Sequence, residues 1–213
     1  MTPLLDHCPA TLPRAAYLEA DWHARELATI WARNWVCVGR LGDLANWPMD
    51  SLVTKHRHER TLNCNWKVFW ENYNECLHCP GIHPELCDMV PIYAQGIMAP
   101  NESPHWTPDQ PRQPNLKPGA HSWTLSGAPC GPTFPNLTPD QPETLSQPGF
   151  DAAHVAAHVA AYAKIVLQQD GDAVEMNQRG IRSPAYQTGA LMPQEFDIQR
   201  FHTWVLAQME ATA

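Results

Sequence analysis

The chain has 213 residues, 44 % of them apolar and 17 % charged, a composition that supports a globular core in one large domain or two small ones. A net charge of −8, from 14 Lys and Arg against 22 Asp and Glu, argues against nucleic acid or an anionic membrane as a partner. No apolar run reaches the roughly 18 residues of a membrane span, and residues 1–13 lack the basic start and apolar stretch of an export signal. The expected compartment is therefore the cytoplasm, and the seven cysteines are expected as reduced thiols or metal ligands rather than a disulfide frame.

Along the chain, Leu12–Pro13 opens a helix predicted over 12–35, with Tyr17, Leu18, Trp22, Leu27, Ile30 and Trp31 as a loose apolar stripe. Residues 36–62 read as short and mixed, with a strand at Val36–Val38 and a turn at Asn46–Pro48. A second helix is predicted over 65–78. Trp66, Phe69, Trp70, Tyr73 and Leu77 make one apolar face, Glu71, Glu75 and His78 lie on a separate polar stripe, and Pro80–Gly81 ends it. Most of the 21 prolines, about twice the usual share, fall between Pro80 and Pro148. That stretch cannot be a regular array of helices, and short strands such as His121–Leu125 are expected in it. Asp151 can cap a helix running to Arg179, which Gly180 and Pro184 stop. Pro193 and Glu195 open a last helix with Phe201, Trp204, Val205 and Met209 on its apolar face.

The densest chemistry lies in ENYNECLHCPGIHPEL, residues 71–86, and in Cys87 just beyond. His78 stands near a helix end and His83 five residues on, past the Pro–Gly break, so a tight turn can bring both imidazoles to one ion. With a carboxylate from elsewhere they would form the two-histidine, one-carboxylate set that leaves positions open on Fe(II). A rival reading takes Cys76, Cys79, His83 and Cys87 as a closed tetrahedral zinc site of structural or interaction function. A plainer one takes them as a polar helix face with small buried thiols. His154 and His158 have metal-pair spacing without the glutamate of a zinc-protease motif, and His56 and His58 sit in a basic run that reads as surface. Asp170, Asp172 and Glu175 read as an exposed acidic face. No glycine-rich nucleotide loop or serine-hydrolase elbow occurs.

NWKVFWENYNECLHCPGIHPEL, residues 65–86, resembles the iron-binding segment of the Rieske non-heme iron oxygenases, the ring-hydroxylating alpha subunits. The match runs through Asn65, Trp66, Lys67, Glu71, Asn72, Glu75, His78 and His83, and it falls in the Glu-bearing branch that includes quaternary-amine monooxygenases. QQDGDAVEMNQRGIRSPAYQTGALMPQEFDIQRFHTWV, residues 168–205, resembles the family's final helices, and residues 12–44 its opening segment. The resemblance implies an α+β helix-grip fold, an antiparallel sheet against a long C-terminal helix. It divides the chain into 1–62, an N-terminal helix with a remnant of the Rieske region, and 63–213, the catalytic domain, shortened near 135–150. It implies mononuclear Fe(II) held by His78, His83 and Asp170, with Asp172 as second choice. Glu75 would be the bridge that carries electrons to the iron centre and Asn72 its neighbour. It further implies O₂ and a small organic substrate, a reductase or Rieske-bearing electron donor, and a homotrimer. The family's 2Fe–2S ligands, C-x-H followed by C-x-x-H, are absent as a pair from this sequence. The expected activity is therefore O₂-dependent hydroxylation or N-demethylation, lost without a separate cluster-bearing chain; a metal-free remnant that only assembles with intact subunits is the further alternative.

Overall fold

The computed structural model describes residues 3–34, 57–110, 116–121, 124–128 and 160–210. Its helices are α1 (Ala15–Leu18), α2 (Ala20–Glu26) running into a π-helical turn (Leu27–Trp31), α3 (Trp66–Asn72), α4 (Cys79–Ile82), α5 (Pro84–Met89), α6 (Ala160–Ile181) and α7 (Phe196–Glu210). Two 3₁₀ turns, Pro91–Gln95 and Pro100–Glu102, follow α5. α3 and α4 pack on α6, and α7 packs on the π-helical turn.

The Asn-Trp-Lys start of α3 has a physical reading. Asn65 caps the helix by accepting from the Lys67 backbone N–H at 3.0 Å, and its own backbone N–H donates to Gln178 Oε1 on α6 at 2.6 Å. The Trp66 indole donates to Glu26 Oε2 at 3.0 Å, and Lys67 Nζ donates to Glu26 Oε1 at 2.5 Å. Three consecutive residues thus tie α3 to its neighbours, Asn65 to α6 through its backbone and Trp66 and Lys67 to α2 through their side chains. Lys67 and Glu26 are both fully buried. Burial pushes the Lys67 amine down, against the pull of Glu26. The main core gathers Leu12, Tyr17, Ile30, Val68, Val174 and Val205. A second, under α5, holds Met89, Val90 and Tyr162.

The residues before α1 run beside the α6–α7 connection. Thr11 N donates to Gly189 O at 3.0 Å, Leu191 N to Pro9 O at 2.8 Å, and Ala10 and Ala190 form an antiparallel bridge. Among the described residues this bridge is the only β pairing, so the expected antiparallel sheet does not lie within them. His121 N donates to Gly127 O across a turn, with no strand at His121 or Thr124–Leu125. The strand at Val36–Val38, the turn at Asn46–Pro48, the cap at Asp151, the pair His154 and His158, His56, and the shortened stretch 135–150 fall outside the described residues.

Three expectations change. The helix predicted over 12–35 breaks at Glu19, whose ψ of 132° is extended. The helix predicted over 65–78 ends at Asn72, so Glu71, Glu75 and His78 do not share one helical stripe. The aromatic stripe of α3 is not its buried face: Val68 and the paired Lys67 are buried, while Phe69, Trp70, Tyr73 and Leu77 are exposed. On α7, likewise, Ile198, His202, Val205 and Met209 point inward and Trp204 is exposed. Among the described residues, no helix is long and apolar enough to cross a membrane.

Candidate metal centre

α4 is a single turn, and the two histidines are its caps, His78 before it and His83 after it. Glu75 sets up this turn. Its Oε2 accepts from the backbone N–H groups of Leu77 and His78, which reverses the chain after α3. Pro84, at the first position of α5, suits the start of a helix directly after His83. The two imidazoles stack edge to face with Nε2 atoms 3.1 Å apart.

Each imidazole is oriented through its far nitrogen. His78 Nδ1 lies 2.5 Å from Glu75 Oε1, and His83 Nδ1 lies 2.9 Å from Gln169 Oε1. With a proton on each Nδ1, both Nε2 lone pairs face one point. The carboxylate of Asp170, on α6, faces it too: Oδ1 lies 2.9 Å from His83 Nε2 and 3.5 Å from His78 Nε2. Asn72 Nδ2 donates to the same oxygen at 2.7 Å. His83 is 1 % exposed and Asp170 5 %. Burial disfavours charge at both His78 and Asp170, but their hydrogen bonds outweigh it. His78, bonded to Asp170 and Glu75, is pushed up to about 9, and Asp170, bonded to His78, His83 and Asn72, is held well below the usual carboxylate range. Tyr73 is pushed up to about 12 by burial and by the neighbouring charge of Asp170.

The donor triangle fits a divalent ion. Donors about 2.1 Å from an ion and at right angles to one another sit about 3.0 Å apart. The edges here are 2.9, 3.1 and 3.5 Å. Asp172, the second choice, is exposed and pairs with Arg60 Nη2 at 2.7 Å, facing away from the histidines. Glu175 caps the Asn63 backbone N–H at 2.8 Å and stands 3.5 Å from Arg60. His58 is exposed.

The expectation of reduced thiols is corrected at Cys76 and Cys79, which form a disulfide. A turn, not a continuing helix, brings their sulfurs together. The tetrahedral set Cys76, Cys79, His83 and Cys87 does not converge either: Cys87 Sγ donates to the carbonyl of Cys79 at 3.4 Å. Cys79 Sγ itself lies 4.0 Å from His78 Nε2, and among the described residues His78, Cys79 and His83 form a group close enough to share an ion.

Gln169, Tyr73 and a second polar cluster were not singled out by the sequence. Gln169 also donates to Glu85 Oε2 at 2.7 Å, so one amide links Glu85 to His83. Its place beside Asp170 on a helix is the only sequence signal it carries. In the second cluster, Tyr17 and His202 both donate to Glu71 Oε1, at 2.7 and 2.8 Å. Burial, and then Glu71's charge, pushes the Tyr17 hydroxyl far up. A cavity of about 490 Å³ is lined by Tyr17, Glu71, Glu75, His78, Glu195 and His202 among others.

The family model for the ring-hydroxylating alpha subunit (catalytic domain) matches residues 49–146 and 140–211. The glycine betaine monooxygenase oxygenase subunit of Chromohalobacter salexigens is 23 % identical over 239 residues, covering 80 % of this chain and 54 % of that protein. The chain thus spans about half the length of this curated relative. No solved structure matches it. On the extent of the family match, the chain belongs to the ring-hydroxylating alpha-subunit family, through its catalytic domain.

Proposed function

We propose that the chain is an oxygenase-type subunit whose His78, His83 and Asp170 hold one mononuclear Fe(II) for O₂-dependent hydroxylation or N-demethylation of a small organic substrate. The observation that carries this is the convergence of His78 Nε2, His83 Nε2 and Asp170 Oδ1, with both Nδ1 atoms occupied elsewhere. Fe(II) on such a set keeps open positions and supplies O₂ chemistry there. The residues of this chain do the rest. Glu75 holds the Nδ1 proton of His78, and the family resemblance gives this carboxylate the role of the bridge by which electrons reach the iron centre. Gln169 holds the Nδ1 proton of His83. Asn72 fixes Asp170 so that Oδ1 stays turned to the histidines. A relative named for glycine betaine monooxygenation favours an N-methylated amine as substrate class. In the family the electrons reach the iron from a Rieske cluster, so a Rieske-bearing chain served by a reductase is the proposed donor, with trimer assembly as the family would suggest.

The test uses nitric oxide as a probe of open positions on the Fe(II)-loaded protein. A high-spin iron–nitrosyl EPR signal in the wild type, lost in His83→Ala, is expected. Bound iron that gives no such signal would contradict an open two-histidine, one-carboxylate site.

A further inference from the structure

The Cys76–Cys79 disulfide brackets His78 in sequence and lies against the metal-facing side of its ring. Cys79 Sγ is 4.0 Å from His78 Nε2, the nitrogen that also faces His83 and Asp170. The donor atoms of His78, Cys79 and His83 all lie within 4.8 Å of one another. Around a tetrahedral zinc-type ion, an imidazole nitrogen and a thiolate sulfur stand roughly 3.6 Å apart. A freed Cys79 sulfur would therefore need to close by a few tenths of an ångström on His78 and by at most about 1.2 Å on His83, a side-chain rotation rather than a backbone shift. The disulfide withholds it, since a sulfur bonded to sulfur is a poor donor and a thiolate a strong one. Both cysteines are buried, at 5 % and 3 % exposure, so a freed thiolate would share the dry surroundings of His83.

We propose that the Cys76–Cys79 pair is a redox control on the identity of the bound metal: when reduced, it releases Cys79 to join His78 and His83 as a thiolate donor, and the centre takes a thiophilic divalent cation such as zinc in place of iron. This rests on the reading of His78 and His83 as metal donors. In the disulfide form the donors are nitrogen and oxygen only, which suits Fe(II). Reduction by a dithiol breaks the Cys76–Cys79 bond, leaves a thiol on each residue and turns the dithiol into its own disulfide. Cation binding then displaces the Cys79 thiol proton to solvent. The added sulfur softens the site and fills a position that the iron form leaves open, so the reduced chain is the one without O₂ chemistry.

Cobalt(II) is the probe, because a thiolate ligand adds a near-ultraviolet charge-transfer band that imidazole and carboxylate do not give. The full chain is prepared as the disulfide, and as the dithiol after reduction and anaerobic removal of the reductant. Cysteine titration verifies each state. The disulfide form is expected to bind cobalt without the band and the reduced form with it. Cys76→Ser should show the band without any reductant, and Cys79→Ser should lack it in every state while still binding cobalt. Reduced protein that binds cobalt without the band overturns the proposal and leaves the two-histidine site standing. A band that survives in Cys79→Ser overturns it as well, because another sulfur would then be the donor. A chain that binds no cobalt in either state overturns the metal centre itself, and with it the switch.

Discussion

Glu75 and Gln169 each take the Nδ1 side of one histidine, and that pairing determines which nitrogens can face an ion. Such partners typically change metal affinity by about 10- to 100-fold. Gln169→Ala is therefore expected to weaken Fe(II) binding by about that factor, as read by chelator competition. Glu75→Ala is expected to weaken Fe(II) binding comparably and, once the variant is loaded with iron, to stop turnover with an electron donor. Asp170→Asn should lose iron, while Asp172→Asn should bind it like the wild type, since Asp172 faces Arg60; the reverse pattern would reassign the carboxylate. At this scale the closeness of His78 and His83 was legible from their spacing around Pro80–Gly81, and the approach of Asp170 to them only from the family resemblance. Gln169 was not, because a glutamine amide has no spacing rule and its role depends on which helix face meets α4. The disulfide was not legible either, since a C-x-x-C inside an expected helix cannot be told from two reduced thiols.

At the scale of elements, α3 shows how tertiary pairing overrides an apolar stripe. The periodicity of Trp66, Phe69, Trp70, Tyr73 and Leu77 points inward on paper. Yet the helix buries Lys67, because Glu26 on α2 supplies a fully buried counter-charge and the Trp66 indole shares it. Removing one partner of a buried ion pair leaves the other uncompensated, at a cost of about 3–5 kcal/mol. Glu26→Ala should lose about that much in denaturant melts, and Glu26→Leu combined with Lys67→Met should recover most of it. A double variant no more stable than Glu26→Ala would mean that the pair does more than neutralise itself. Gly171 is a second test. A Cβ there would stand 2.3 Å from Arg60 Nη1 and 3.0 Å from Leu62 Cδ2. Arg60 is anchored by the Gln168 carbonyl at 2.9 Å and by Asp172, so it cannot swing away freely. Gly171→Ala is expected to lower the melting temperature and to weaken iron binding through the adjacent Asp170. Helix existence was legible for all four predicted helical regions, including the one expected to run to Arg179, which is seen over Ala160–Ile181. The ends of the first two were not: Glu19 breaks the first helix and the second ends at Asn72 with Tyr73 as its cap, local backbone choices that periodicity does not register.

For the whole molecule, the N-terminal arm and α1 clasp the α6–α7 connection, and α3 and α4 lie on α6. Asp170 and the histidine turn meet because of this arrangement, although 87 residues separate His83 from Asp170. The resemblance foresaw that long-range meeting, and no local pattern could have done so. The antiparallel sheet of the expected helix-grip fold remains an expectation from the family, since the described residues hold a single bridge. The central claim is that the chain carries one iron in the two-histidine, one-carboxylate centre. It is tested most directly by elemental mass spectrometry of the protein, purified anaerobically in its disulfide form with Fe(II) supplied, beside Asp170→Asn. The account predicts about one iron per chain with little zinc, and loss of that iron in the variant. Stoichiometric zinc in the disulfide form, no metal at all, or iron undiminished in Asp170→Asn would contradict it.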